Sequence, residues 1–373
     1  MSYNINKALY KNFFFWLLSI VILIVAVELC CKMLWYNYVS KAPSSGVIMV
    51  KKAIGDDLNE LQQLVSNPYS LYWNNPDYRD EFGNQYDKNG YRSVEYDGKN
   101  KLKILALGGS TTNMYPFIKD RDNIWTSIIS KKLDSMGISN HVFNAGLPSG
   151  TSAELLTHYF LKGRYLEPDL IIIHTGGNDV TSLLFSNYKT DYSHLRKSNN
   201  GYLEPRPGES FLLSKSYFLR NFYHVWLRGK GIYSPKPYSH SQINRIEALK
   251  RIKENESAAF KGNIESIVQH AISQGSKILL IPFIQANKSN LTRNRPDLDG
   301  LEKALIIGLK KHSDIMKKIS IDYDQKFLQL DTSKIPQNWF LDNCHLNEKG
   351  EYEKAVQIFN EIRDNLKDYG FTQ

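Results

Sequence analysis

Five residues of this chain have the types and the order that acyl chemistry needs. Ser110 lies in KLKILALGGSTT (101–112), Gly146 in NAGLPSG (144–150), Asn178 in GGND (176–179), and Asp342 and His345 in DNCH (342–345). A serine after an apolar run and a Gly-Gly turn is exposed at a strand's carboxyl end, where open α/β sheets place their ligands. The N–H groups flanking it can receive an oxyanion. Gly146 follows the run HVFN, so its N–H can point into a cleft with no side chain in the way. The Asn178 amide can donate to developing negative charge, and such a donor is worth about 100- to 1,000-fold in rate. His345, three residues from Asp342, can be oriented by the carboxylate through one ring nitrogen and take the serine proton on the other.

Each block alone has a plainer reading. GGST can be a simple turn or a phosphate cradle, NAG an ordinary strand-to-helix turn, GGND an asparagine cap, and DNCH a helix cap beside a solvated histidine. What distinguishes them is their order, each after an expected strand or in a loop before a helix.

The elements that must position them follow from periodicity. Apolar strands are expected near 103–107, 141–144, 169–174, 277–283 and 327–331, and helices near 122–136, 151–163, 242–274, 299–319 and 347–367. Short strands alternating with longer helical patterns predict parallel βαβ units in a three-layer sandwich. Residues 181–241 break that rhythm with Pro205, Pro207, Pro235 and Pro237 among many aromatics. This insertion contains the basic amphipathic stretch Ser214–Arg228, and a packed helix, a lid, a membrane-surface element and a partner site all fit it. Residues 67–98, rich in Tyr, Asn, Asp and Gly, read as turns and short strands over a domain edge. Their aromatics suit surface loops pinned by tyrosines or a glycan site.

With its blocks in this order the chain resembles the SGNH (GDSL-type) hydrolase superfamily, over roughly residues 102–368. The resemblance implies an α/β fold: a three-layer α/β/α sandwich with a mostly parallel, five-stranded, flavodoxin-like sheet. It implies Ser110 as nucleophile, His345 as general base and Asp342 as the residue orienting His345. The Ser110 N–H, Gly146 N–H and Asn178 side chain would form the oxyanion hole, with no cofactor and no metal. One position departs from the family pattern, since Gly109 stands where the usual block has an aspartate. Variants of that kind resemble membrane-anchored relatives that act on glycans.

The N-terminus fits that comparison. Phe13–Leu34 has Ser19, Glu28 and Lys32 as its only clearly polar members, and roughly 20 apolar residues suffice to cross a bilayer. Glu28 and Lys32 are spaced to pair on one helix face, and Trp35, Tyr36 and Tyr38 follow as interfacial aromatics. A cleaved signal peptide is the rival, but no small-x-small site follows the core. The expected organisation is an anchor over 1–40, a linker and edge segment over 41–100, and the SGNH-like domain over 101–373. Flanking lysines do not favour an outward-facing domain. Large C-terminal domains behind one anchor are nonetheless commonly exported, so an extracytoplasmic domain is expected.

Composition bounds the rest. The 373 residues are 42% hydrophobic and 23% charged with a net charge of +9, which suits a globular protein with a core and a preference for acidic partners. The positive residues are scattered and no nucleic-acid motif is found, so nucleic acid is not expected as a partner. Cys30 and Cys31 lie in the apolar run, leaving Cys344 alone in the body and no disulfide framework. Cys344 abuts His345, and neighbours on a loop are expected to point apart. Asp322, Asp324 and Asp331 lack matched histidines and read as turn and strand-end residues rather than a metal site. His174 reads as a core histidine or as one facing the cleft.

The expected activity is hydrolysis of an ester, or transfer of its acyl group, through an acyl-serine. O-acetyl groups of a cell-surface polysaccharide are the expected substrate, with a lipid or thioester as the alternative. A transferase would require a membrane partner or a soluble molecule as acyl donor. The rival from another class is a non-catalytic glycan-binding or scaffold protein of the same fold.

Overall fold

The computed structural model describes residues 2–41, 50–51, 54, 63–66, 70, 72–99, 102–195, 207–230, 243–292 and 294–369. The chain divides into two compact units, one of residues 1–58 with 199–235 and one of residues 59–198 with 236–373.

The second unit is built on a five-stranded sheet of β1 (Leu102–Gly108), β2 (Asn140–Gly146), β3 (Leu170–Thr175), β4 (Lys277–Pro282) and β5 (Lys326–Phe327), in the order β2-β1-β3-β4-β5. Every neighbouring pair is parallel. β3 is the unbroken apolar run LIIIHT, buried at every position, as a parallel strand covered on both faces must be. Connections leave β1 for β2 on one side and reach β3 on the other, so their loops diverge at the carboxyl ends and open a crevice there. Ser110 stands in it.

In chain order the helices are α1 (Ser2–Asn37), α2 (Ser110–Asn113), α3 (Trp125–Ser135), α4 (Ser152–Leu161), α5 (Gly177–Ser182), α6 (Pro207–Lys215), α7 (Tyr217–Lys230), α8 (Ala248–Glu254), α9 (Ala258–Ser273), α10 (Glu302–Asp322) and α11 (Glu348–Asp364). Their boundaries follow local chemistry. Thr151 and Glu154 close a reciprocal capping box on α4, and Asn347 accepts from Gly350 N to start α11. The helix expected over 242–274 is two helices. Asn255 adopts an extended conformation, and its amide donates to Leu183 O at 2.6 Å, which pulls the chain out of helix between α8 and α9. β5 is shorter than expected, because Asp331 caps a separate turn, accepting from Ser333 N.

One core cluster joins β1, β3 and β4 to α3 and α11, with Ile104, Ile172, Leu279, Trp125, Ile129, Ile358 and Ile362 at 0% exposure. The tyrosine-rich segment forms short antiparallel pairs, Leu64–Ser66 with Tyr72–Asn74 and Arg79–Asp80 with Gly83–Asn84. Its described residues belong to this unit. Asn74 Nδ2 donates to Gly146 O at 2.9 Å and Arg92 is fully buried.

In the first unit, residues Asn12–Asn37 of α1 are long and apolar enough to cross a membrane. α6 and α7 pack in the same unit. Glu28 takes partners other than Lys32: its carboxylate accepts from Ser216 Oγ and, at 2.8 Å, from Tyr217 N. The insertion residues 196–206 and 231–242, like residues 42–49 of the linker, lie outside the described residues.

Candidate active site

β1 delivers its last residue, Gly108, into a space with no room for a side chain. A Cβ there would stand 2.1 Å from Thr112 Oγ1 and 2.6 Å from His174 O. The chain then turns at Gly109 and Ser110 opens α2. As the first residue of a helix, Ser110 has an N–H with no intrahelical acceptor.

His345 and Asp342 arrive on a tight loop closed by a bridge between Phe340 and Leu346. Asp342 Oδ1 accepts from Cys344 N at 2.9 Å and His345 N at 2.8 Å. Its other oxygen lies 2.8 Å from His345 Nδ1, and His345 Nε2 lies 2.8 Å from Ser110 Oγ. A carboxylate only accepts, so Nδ1 carries the proton and Nε2 presents its lone pair to the serine hydroxyl. Burial pushes the Asp342 carboxyl upward, but the His345 ring and the two backbone donors outweigh it and hold the group at about 2. The serine hydroxyl thus faces a base whose tautomer and orientation are set by a fixed negative charge.

Asn178 follows β3 in the turn that opens α5. Its Nδ2 donates to Gly150 O at 2.8 Å, which leaves the amide's second N–H available. Gly109 makes room for it: a Cβ at Gly109 would stand 3.0 Å from Asn178 Nδ2. The next residue, Asp179, is fully buried and accepts from Ser152 N at 3.0 Å, Ser152 Oγ at 2.6 Å and Tyr192 Oη at 2.8 Å. Asn178 and Asp179 therefore pin Gly150 and Ser152 together, fixing the loop after β2 against the loop after β3.

Gly146 does not fill the expected place. Its N–H donates to Asn144 Oδ1 at 2.9 Å, and a Cβ on it would stand 2.2 Å from Asn113 N. The glycine lets the end of α2 pack on β2, and its N–H is already committed. Gly150, the later glycine of the same block, is the one beside Asn178.

Three parts of the site gave no sequence signal. Phe117 stacks on the His345 ring, with centroids 3.6 Å apart and planes 14° from parallel. Its loop is held by Arg92, which donates to Asn113 O at 2.5 Å, Ile118 O at 2.6 Å and Lys119 O at 2.8 Å. Beneath α2, Lys354 donates to Thr111 O at 3.0 Å and pairs with Glu351.

Cys344 does not point away from His345; its Sγ lies 3.5 Å from His345 Nδ1. The donor atoms of Asp342, Cys344 and His345 lie within 4.8 Å of one another. As a metal set they fit poorly. The aspartate and histidine atoms are committed to each other, and burial pushes the thiol well above its ordinary value, whereas a thiol ligates as the thiolate. Asp322 ends α10 and pairs with Lys318 at 3.1 Å, and Asp324 lies in the turn that follows, with φ 51. His174 is a core residue, fully buried, and burial pushes its ring down to about 3.

The GDSL-like lipase/acylhydrolase family model matches residues 104–356, from β1 into α11. The chain belongs to that family. No curated protein matches it. Among solved structures, this acylhydrolase-family chain is similar to a lipase/acylhydrolase from Enterococcus faecalis, at 15% identity over 70% of this chain and 96% of that one, TM-score 0.41. It is also similar to the psychrotrophic esterase EstA from Pseudoalteromonas sp., at 14% over 72% and 100%, TM-score 0.41. A third is the acetyl xylan esterase AlAXEase, at 14% over 70% and 99%, TM-score 0.40.

Proposed function

We propose that Ser110, His345 and Asp342 carry out acyl transfer through an acyl-serine intermediate. The observation that carries this is the continuous relay from Ser110 Oγ to His345 Nε2 and from His345 Nδ1 to Asp342, each step 2.8 Å. Ser110 Oγ attacks the ester carbonyl as His345 takes its proton. The oxyanion is received by the Ser110 N–H and the free N–H of the Asn178 amide. Collapse expels the alcohol, which leaves with the proton from His345, and water then repeats the sequence to release the acid.

The proposed substrate is an O-acetylated cell-surface polysaccharide. Support comes from the polar rim of the catalytic loop, where Arg295, half-buried and paired with Asp297, donates to Asn343 Oδ1 at 3.0 Å. That rim suits a hydroxyl-rich leaving group. A sugar hydroxyl in place of water in the second step would make the enzyme an O-acetyltransferase, supplied by a membrane acyl-donor partner. The proposal includes α1 as a membrane span with the sheet unit outside the cytoplasm.

The test is a serine-reactive fluorophosphonate on the full-length protein in detergent, followed by hydrolysis of acetylated polysaccharide. Wild type labels, Ser110→Ala does not, and His345→Ala labels far more slowly. A folded wild type that neither labels nor releases acetate would leave the non-catalytic binding protein as the better reading.

A further inference from the structure

We propose that α6 and α7 form a lipid-embedded interfacial element, placing Phe211, Leu212, Phe218 and Phe222 among the acyl chains beside α1. The proposal rests on the reading of α1 as a membrane span and adds to it a second membrane contact.

The first argument is an inverted pattern. Arg220 and Asn221 of α7 are spent inside the unit. Arg220 is 7% exposed, stacks over Tyr217 at 4.3 Å and Trp35 at 5.9 Å, and donates to Leu213 O at 2.7 Å. Asn221 Nδ2 donates to Cys31 O, a backbone carbonyl of α1, at 2.9 Å. Four large apolar side chains of the helix pair point outward instead, with Phe211 64%, Leu212 54%, Phe218 48% and Phe222 59% exposed. Phe218 and Phe222 also stack on each other, 6.3 Å apart. A helix pair facing water would show the reverse pattern, and an outward apolar cluster marks a surface meant for an apolar medium.

The second argument is depth. Tyr36 and Tyr38 are exposed aromatics at the end of α1, the residue type that settles at headgroup level. From Glu28 to Tyr36 is about 12 Å of helix axis at roughly 1.5 Å per residue. Glu28 therefore lies below the headgroups, where a carboxylate needs a partner. Its partner is the N-terminus of α7: Ser216 Oγ, Tyr217 N at 2.8 Å and Phe218 N at 3.4 Å all donate to it, and the helix dipole favours the charge. Because Glu28 belongs to α1 and its donors to α7, this contact sets the level at which α6 meets α7. That level lies just past the depth of interfacial helices, whose apolar faces sink about 5–10 Å beyond the headgroup boundary. Lys215, exposed at the end of α6, is long enough to reach the headgroups.

The test uses full-length protein in phosphatidylcholine/phosphatidylglycerol nanodiscs, with Cys30, Cys31 and Cys344 first changed to serine. Nitroxide labels are placed singly through Phe218→Cys, Phe222→Cys, Ile22→Cys in the span and Phe82→Cys on the sheet unit. Oxygen and water-soluble nickel chelate are the two collision reagents. The expected result is an oxygen-to-nickel ratio at 218 and 222 within about twofold of that at Ile22, as for acyl-chain depth. A ratio matching Phe82 would overturn the proposal while leaving the anchor intact. Shielding from both reagents would overturn it in favour of a protein partner or second copy. A water-like ratio at Ile22 itself would overturn the anchor and this proposal together. In Glu28→Ala, nickel access at 222 should rise toward that at Phe82 with Ile22 unchanged, and no rise would remove Glu28 as the tether.

Discussion

Phe117 lies flat on the imidazole of His345, 3.6 Å between centroids, although 228 positions separate them in the chain. The contact covers one face of the ring and resists the tilting that in-plane hydrogen bonds to Asp342 and Ser110 leave open. An aromatic pair of this kind contributes about 0.5–1.5 kcal/mol, so Phe117→Ala should lower kcat by roughly 2- to 10-fold at nearly constant KM. Phe117→Tyr, which keeps the stack, should restore most of the rate. Turnover of p-nitrophenyl acetate measures both, and equal kcat in wild type and Phe117→Ala would remove the positioning role.

Asn178 and Gly146 should separate cleanly on substitution. Asn178→Ala removes an amide donor beside Ser110 and should cost about 100- to 1,000-fold in kcat, while the loss of its bond to Gly150 O costs only about 0.5–1.5 kcal/mol of stability. Gly146→Ala forces a methyl against Asn113 N, 2.2 Å away, and should cost roughly 1–3 kcal/mol of stability through overpacking. Thermal midpoints and kcat measured side by side decide the matter. A Gly146→Ala protein of native stability but crippled turnover would return Gly146 to the oxyanion hole.

The parts of this fold legible in the sequence are those fixed by local pattern. β1, β3 and β4 carry short runs of Ile and Leu that suit a strand covered on both faces, whereas β2, NHVFNAG, is buried throughout without such a run. The glycines after β1, the Asn-Asp pair after β3 and the Asp-x-x-His loop announce turns at strand ends, and the fold brings Ser110, His345 and Asp342 together. Gly146 and Gly150 share one block, and only the turn at Pro148 and Ser149 decides which of them meets Asn178. Phe117 depends on a loop path held by Arg92 from a segment 25 residues away in sequence, a contact no periodicity encodes. In α7 the sequence shows amphipathic spacing, but not that Arg220 and Asn221 turn toward α1 and Phe218 and Phe222 away.

Two buried carboxyl groups should shape stability against pH with opposite signs. Asp342 is held at about 2, below its ordinary 3.8, so the unfolded chain binds more protons between those values. Its contribution, about 2 kcal/mol, is full above pH 4 and is lost as pH falls toward 2. Burial pushes Asp179 up to about 6 against its bonds from Ser152 and Tyr192. The folded state there holds the extra proton, so its contribution is greatest below pH 4 and falls away as pH rises to 6. Unfolding midpoints in detergent from pH 2.5 to 7 should show Asp342→Asn flattening the limb below pH 4 and Asp179→Asn flattening the slope between 4 and 6. Parallel curves for all three proteins would contradict both assignments.

The ion pair beneath Ser110 makes the last prediction. Lys354 and Glu351 are 1% and 0% exposed, and burial drives the lysine down and the glutamate up. Lys354 donates to Thr111 O, and Glu351 Oε2 accepts from Trp125 N at 3.1 Å, so the pair joins α11 to the residue after Ser110 and to the start of α3. Removing one partner strands a buried charge and should cost about 3–5 kcal/mol, whereas replacing both with apolar groups avoids that penalty. Lys354→Met alone should therefore be less stable than Lys354→Met with Glu351→Leu. The double variant should still turn over more slowly than wild type, because Thr111 O loses its donor and α2 its hold from below. A double variant whose loss equals the sum of the two single losses would mean that the charges are not coupled. Stability recovered together with full wild-type turnover would mean that the pair supports the fold without positioning Ser110.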